Sequence, residues 1–162
     1  MNTFNKNIQA YKKQLEKGNI SAGYKGLMEF IADFKNQIKN ENPTHTMSGQ
    51  IHYGFMDITF FSFMPEVLKR EKLKIVVIFN HAEFQFELWL CGQNKQIQQK
   101  YWELFRESDW DKYNIPSKID DRHFIVEHVL AKNPNFDDPT ALRDQMSNDT
   151  TKFVEDIIKV FI

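Results

Sequence analysis

From Ile51 to Met64 the chain reads IHYGFMDITFFSFM, an almost unbroken apolar run. At strand periodicity Ile51, Tyr53, Phe55, Asp57, Thr59, Phe61 and Phe63 share one face, and His52, Gly54, Met56, Ile58, Phe60, Ser62 and Met64 take the other. Both faces are mostly apolar, which predicts a central strand covered on both sides. Any fold for this chain must therefore supply a layer to each face of that segment. It must also accommodate one carboxylate, Asp57. A buried acid is costly unless it is paired, hydrogen-bonded, protonated or set at a wet pocket. The structural reading satisfies it with a Tyr, Thr, Arg or backbone amide, at a bulge that Gly54 would allow. The functional reading makes it the polar anchor of an aromatic-walled pocket.

The flanking segments suggest how the layers are built. Phe4, Ile8, Tyr11 and Leu15 stand at helical spacing, and Ile20, Tyr24, Leu27, Ile31, Phe34 and Ile38 form a firmer stripe. ENPTHTMSGQ reads as a loop. After Pro65 a short helix is expected over PEVLKREK, with the proline in its first turn. LKIVVIF (73–79) and FQFELWLCG (84–92) are strands joined by a short hairpin. In the second of these, Phe84, Phe86, Leu88 and Leu90 face inward, and Gln85, Glu87 and Trp89 take the opposite side. Asn94 and Asp138 are N-cap candidates for a central and a C-terminal helix, the latter with Pro139 at its first position. Residues 122–131, RHFIVEHVLA, fit a fourth strand or a short helix. The expectation is one α+β domain over 1–162: an antiparallel sheet of three to four strands packed against N-terminal, central and C-terminal helices.

Composition removes several functional classes. Fifteen phenylalanines in 162 residues imply a large packed interior or a sizeable apolar pocket. A net charge of −1 gives no basic footprint, so nucleic acid is not an expected partner. The single cysteine, Cys91, leaves no internal disulfide and no cysteine zinc site. No run reaches the length of a membrane span and the first residues lack a signal-peptide core, so a reducing cytoplasm is the expected compartment.

The chemical motifs are weak. An Asp…Glu-x-Lys metal nuclease needs a lysine two residues after the acid, and Trp89 stands there after Glu87. His45, His52, His81, His123 and His128 form no metal-ligand pattern, and no cofactor motif or nucleophile elbow is present. NPNFDDP departs from a calcium loop at its glycine and reads as a turn. GQNK opens a helix by ordinary capping.

Three strings, SGQIHYGFMDITFFSFMPEVLKREKLKIVVIF, FELWLCGQNKQIQQKYWELFRESDWDKYNIPS and IVEHVLAKNPNFDDP, resemble a family of short bacterial proteins known only as a domain of unknown function. The resemblance covers about residues 22–161. It implies a bacterial cytoplasmic origin and a single domain, and brings no activity, cofactor or site residue. A looser likeness, in element order alone, is to another uncharacterised domain found beside restriction or defence proteins. The expected function is non-enzymatic: a binding or protein-interaction domain, with a homodimer or another protein as partner. It would use an aromatic-lined sheet face or pocket around Tyr53, Asp57, Glu87 and Trp89. The alternatives are an unfamiliar hydrolase or nuclease using Asp57 and Glu87 with a histidine, or a component of a bacterial defence system.

Overall fold

A computed structural model describes residues 2–119 and 124–162. It divides into two compact units, Met1–Phe34 and Lys35–Ile162. The first consists of α1 (Thr3–Glu16) and most of α2 (Asn19–Glu41). Asn2 caps α1 by accepting the Asn5 amide at 2.8 Å, and Gly18 takes φ +81 in the link between the helices. The expected helical stripe on α1 is present but stays in water, with Phe4, Ile8, Tyr11 and Leu15 all exposed.

The second unit is built on a sheet whose strands run antiparallel in the order of the chain. They are β1 (Thr46–His52), β2 (Ile58–Met64), β3 (Leu73–Asn80), β4 (Gln85–Gly92) and β5 (Val126–Lys132). Around them lie α3 (Glu66–Arg70), α4 (Lys95–Glu107) and α5 (Pro139–Ile158). The α+β class with an antiparallel sheet and N-terminal, central and C-terminal helices is as expected. The sheet has five strands rather than three to four.

The extra strand comes from the apolar run itself. Ile51–Met64 is not one long strand: the chain reverses at residues 53–57, and β1 and β2 pair as a hairpin, Met47 opposite Phe63 and His52 opposite Phe60. Half of the presumed loop before Ile51 is thus β1. Residues 126–131 of the ambiguous stretch are strand; Arg122 and His123, with Asp120 and Asp121, lie outside the described residues.

Register then sorts the side chains. Phe61 pairs with Val77 and Val77 with Leu88, so Phe61, Phe63, Ile75, Val77, Phe79, Phe86, Leu88 and Leu90 fall on one face, and all are buried. His128, opposite Leu88, stacks on Phe153 of α5 at 6.0 Å and bonds Asp149 at 2.9 Å, which fixes α5 on this face. The caps at Asn94 (accepting Ile97 N–H, 2.9 Å) and Asp138 (accepting Ala141 N–H, 3.1 Å) start α4 and α5 where the sequence places them. Pro65 sits at the N-cap of α3, one position before the expected first turn.

The opposite face carries Val76, Ile78 and Cys91, buried together with Phe124. Ile58, Phe60 and Trp89 pack against that cluster while remaining partly exposed. The β5 edge is covered by Asn114, which exchanges two backbone hydrogen bonds with Glu127. At the β1 edge, pairing is irregular between Ser48 and His52, and Lys35 donates to the Gly49 carbonyl at 2.7 Å. Both devices blunt strand edges that would otherwise pair with another chain.

Candidate functional site

Asp57 is neither in a strand nor buried. It closes the turn 53–57, where its Oδ1 accepts the Phe55 N–H at 2.8 Å. That amide, then those of Ile58 and Asp57 itself, with the nearby His52 imidazole, hold its carboxyl below the ordinary carboxylate range. The reason for the misreading is local. Strand parity extends through any apolar run, but Gly54 at φ +72 and Met56 at φ +63 place two left-handed residues in four. A Cβ on Gly54 would collide with the Ile58 carbonyl oxygen and the Asp57 carboxylate. The acid therefore serves the turn, as short carboxylates commonly do.

The turn is anchored from behind. Thr59, fully buried, donates its hydroxyl proton to the Tyr53 carbonyl at 2.7 Å and contacts His81 Nε2 at 2.9 Å. With its one proton spent, Thr59 must accept there, which assigns the Nε2–H tautomer to His81. Burial lowers the His81 pKa and Asp57 opposes that shift. The His81 amide also donates to the Asp57 carbonyl at 2.9 Å, so the β1–β2 turn is tied to the neighbouring β3–β4 turn, 81–84.

These two turns present four large apolar side chains beside the exposed carboxylates of Asp57 and Glu83. Phe55 is 96% exposed, and Tyr53, Met56 and Phe84 are each about half exposed. Phe84 was expected to face inward; at φ +51 it has left the ladder, and its ring meets the edge of Phe79 at 5.2 Å. Sequence parity missed Phe55, Met56 and Phe84 as exposed groups. The signal available was Gly54 and Asp57 within four residues, a turn composition inside an apolar run.

Glu87 and Trp89 do share a face, and it is the partly open one. Glu87 lies opposite Ile78, which lies opposite Phe60. Tyr53 and Asp57 sit in the turn outside that ladder. Glu87 is 2% exposed, and its carboxylate accepts from Asn80 Nδ2 (3.1 Å), Gln85 Nε2 (2.8 Å) and Trp89 Nε1 (3.1 Å). An acid whose oxygens already serve three donors, away from solvent, is poorly disposed to act as a base or to take a metal. Its role is to order this face, holding Trp89 by the indole and joining both strands of the hairpin. Glu87→Gln should therefore lower stability by about 1–2 kcal/mol even though it removes a buried charge. The amide keeps one acceptor oxygen, so its NH₂ must face a donor; urea titration followed by far-UV circular dichroism checks this.

Cys91 is buried, and desolvation pushes its thiol up to about 12, which leaves it inert as a nucleophile at neutral pH. Among the described residues no three His, Cys, Asp or Glu side chains are grouped so as to hold a metal ion. No described helix is long and apolar enough to cross a membrane.

Residues 4–161 match the model of a family described as a domain of unknown function, DUF7000. The chain belongs to the DUF7000 family. The match begins well before residue 22, where the resemblance was expected to start, so both α1 and α2 are part of the family's domain. Neither the curated proteins nor the solved structures contain a match to the chain.

Proposed function

We propose that this DUF7000 chain is a protein-interaction domain whose contact surface is the end of the sheet around Asp57. The observation that carries the reading is Phe55, 96% exposed on a turn fixed by Gly54, Asp57 and Thr59. A ring that costs free energy in water, carried on a backbone that the turn fixes, is a partly preorganised anchor for an apolar recess on another protein. Tyr53, Met56 and Phe84 extend the patch, and the partly open face with Ile58, Phe60 and Trp89 offers a continuation of it. The occupant is a protein rather than a metabolite because the turn is convex in character, an exposed reversal, whereas small ligands favour concave sites. A bacterial cytoplasmic setting belongs to this reading, supported by the resemblance to short bacterial proteins and by a buried thiol suited to a reducing compartment.

Phe55→Ser tests it, because an exposed position can lose its ring without unfolding the chain. Wild type, Phe55→Ser and a control with a substitution on the exposed face of α4 are compared by quantitative affinity capture from source cells, and candidate partners are re-measured as purified proteins. Loss of a purified partner's affinity by tenfold or more in Phe55→Ser alone is expected for an anchor residue. Equal affinity of all three proteins would defeat the proposal. Sedimentation of the same set shows whether the partner is a second copy.

A further inference from the structure

The first unit leaves one apolar surface unaccounted for. α1 has no buried residue, although Phe4, Ile8, Tyr11 and Leu15 stand on it at steps of four, three and four. At about 100° per residue, these four side chains fall within about 60° of arc. A helix of 14 residues is marginal by itself in water, so its stability must come from packing of that stripe, which a single copy does not supply. The arc is narrower than the face a helix turns to a globular core. Its period is that of a coiled-coil seam.

The polar residues of α1 narrow the choice of occupant. Lys6 and Lys13 stand on the side of the helix opposite the stripe, and Lys12 is the one lysine of α1 that borders it. Asn5, Asn7 and Gln14 supply the rest of its margins. An anionic bilayer is best served by a broader apolar face with lysines along its margins, where they reach the headgroups. With most of its cations at the back, this seam suits another helix instead. The order aromatic, aliphatic, aromatic, aliphatic makes it its own complement. If two copies run antiparallel about a point between Gln9 and Ala10, Phe4 meets Leu15 of the second copy and Ile8 meets Tyr11 of the second copy. Every layer then holds one ring and one aliphatic side chain. A parallel pair would set ring on ring and aliphatic on aliphatic, in layers of unequal size. At the antiparallel margins Lys12 meets Asn5 and Asn7 meets Gln14, amides that can donate as well as accept, so no like charges face each other. The two helix dipoles are also opposed, which brings unlike ends together.

We infer that α1 is a self-association helix, through which two copies of this chain pair antiparallel along Phe4, Ile8, Tyr11 and Leu15. Phe4 is 73% exposed, Tyr11 56%, Ile8 43% and Leu15 36%, so together they offer about 400 Å² of apolar surface per copy. A pair covers about 800 Å², and the stems of Lys12 and Gln14 bring it near the ~1,000 Å² at which specific interfaces begin. That area sets the dimer at the weak end of specific association, in the micromolar range, where it follows protein concentration.

The whole chain is followed by sedimentation equilibrium over a concentration series, with hydrogen exchange of the α1 amides at the same concentrations. Wild type should pass from monomer to dimer, its α1 amides exchanging more slowly as the dimer fills. Ile8→Glu and Tyr11→Lys change exposed positions, so the fold is kept, and each should raise the dimer dissociation constant about thirtyfold or more. Mixing the two variants tests the orientation. In an antiparallel pair one central layer returns to wild type and the other becomes Glu against Lys, so the mixed dimer should be about tenfold tighter than either variant alone. In a parallel pair both central layers would carry a lone charge and mixing would gain nothing. A monomer at every concentration, a dimer indifferent to both substitutions, or no gain on mixing would each overturn the inference. So would a wild-type chain that stays monomeric while binding phosphatidylglycerol vesicles, since a lipid surface would then be the occupant. Phe55→Ser should dimerise as wild type does; a dimer lost in that variant would move the contact to the Phe55 turn and remove α1 from it. Failure of the α1 seam leaves the Phe55 reading standing, and the reverse holds.

Discussion

Gly54→Ala should destabilise the Lys35–Ile162 unit by about 2–4 kcal/mol, a large loss for one methyl group in a turn. Two costs add. At φ +72 an L-residue pays for a left-handed backbone, and its Cβ would be driven into the Ile58 carbonyl oxygen, which is backbone and cannot swing away. Gly49→Ala separates them. Its φ of +58 imposes the first cost, but nothing lies within 4 Å of the added carbon, so about 1 kcal/mol is expected there. Urea unfolding of both variants measures the difference, read from the midpoint at constant slope. The larger loss in Gly54→Ala should come with loss of the Phe55-dependent interaction, because a relaxed turn no longer fixes the backbone that carries that ring. Equal losses in the two variants would mean that the turn adapts to the added carbon and that Phe55 is not held as described.

The sequence was informative where a side chain's role is set by its immediate neighbours. The caps at Asn94 and Asp138, the β3–β4 hairpin and the burial of Phe86, Leu88 and Leu90 all follow from spacing, and the structure places them so. Alternation failed in the apolar run 51–64, because a period-two pattern of apolar residues cannot reveal a reversal made by backbone conformation. Only Gly54 and Asp57 carried that information, and Asp57 was read as a buried acid instead of as a turn-former. Of the four proposed site residues, Glu87 and Trp89 were correctly put on one face, since parity within a short strand is robust. Their relation to Tyr53 and Asp57 depended on the register between strands, which a single sequence does not encode legibly. A buried ionic cluster escaped notice for the same reason: Asp156 meets Lys112 and Tyr113 across more than forty positions of chain.

That cluster is where the second large effect is expected. Asp156 is 3% exposed, and its carboxylate accepts from Lys152 (2.7 Å), Lys112 (3.0 Å) and Tyr113 Oη (2.8 Å), with Lys159 at 3.7 Å. It thereby ties the segment after α4 to α5, and Tyr113 in turn packs on His128 and Phe153. Asp156→Asn keeps the shape but removes the charge that three donors address, and should cost about 2–3 kcal/mol at neutral pH. The lysines are substantially exposed and can return to water, so most of the loss falls on Tyr113 and on the charge-assisted bonds.

The pH dependence gives this prediction its sign. The Lys152 contact first, and Lys112 and Tyr113 after it, hold the Asp156 carboxyl well below the usual carboxylate range despite desolvation, which acts the other way. A lowered folded-state pKa means that the stabilisation is fully present above the unfolded value near ~4 and is lost as the pH falls toward the folded one. Wild type should therefore lose stability below about pH 4 more steeply than Asp156→Asn, and the gap between them should narrow. At the other extreme, burial first and Asp156 second raise the Tyr113 phenol above its ordinary value, so that contribution is present below about pH 10 and fades as the pH rises toward the folded-state value. Tyr113→Phe should flatten that alkaline limb and leave the acid limb largely in place. Chemical denaturation across the pH range reads both. If the wild-type and Asp156→Asn curves instead run parallel from neutral pH into acid, Asp156 contributes through its shape alone, and the ionic account of this cluster is wrong.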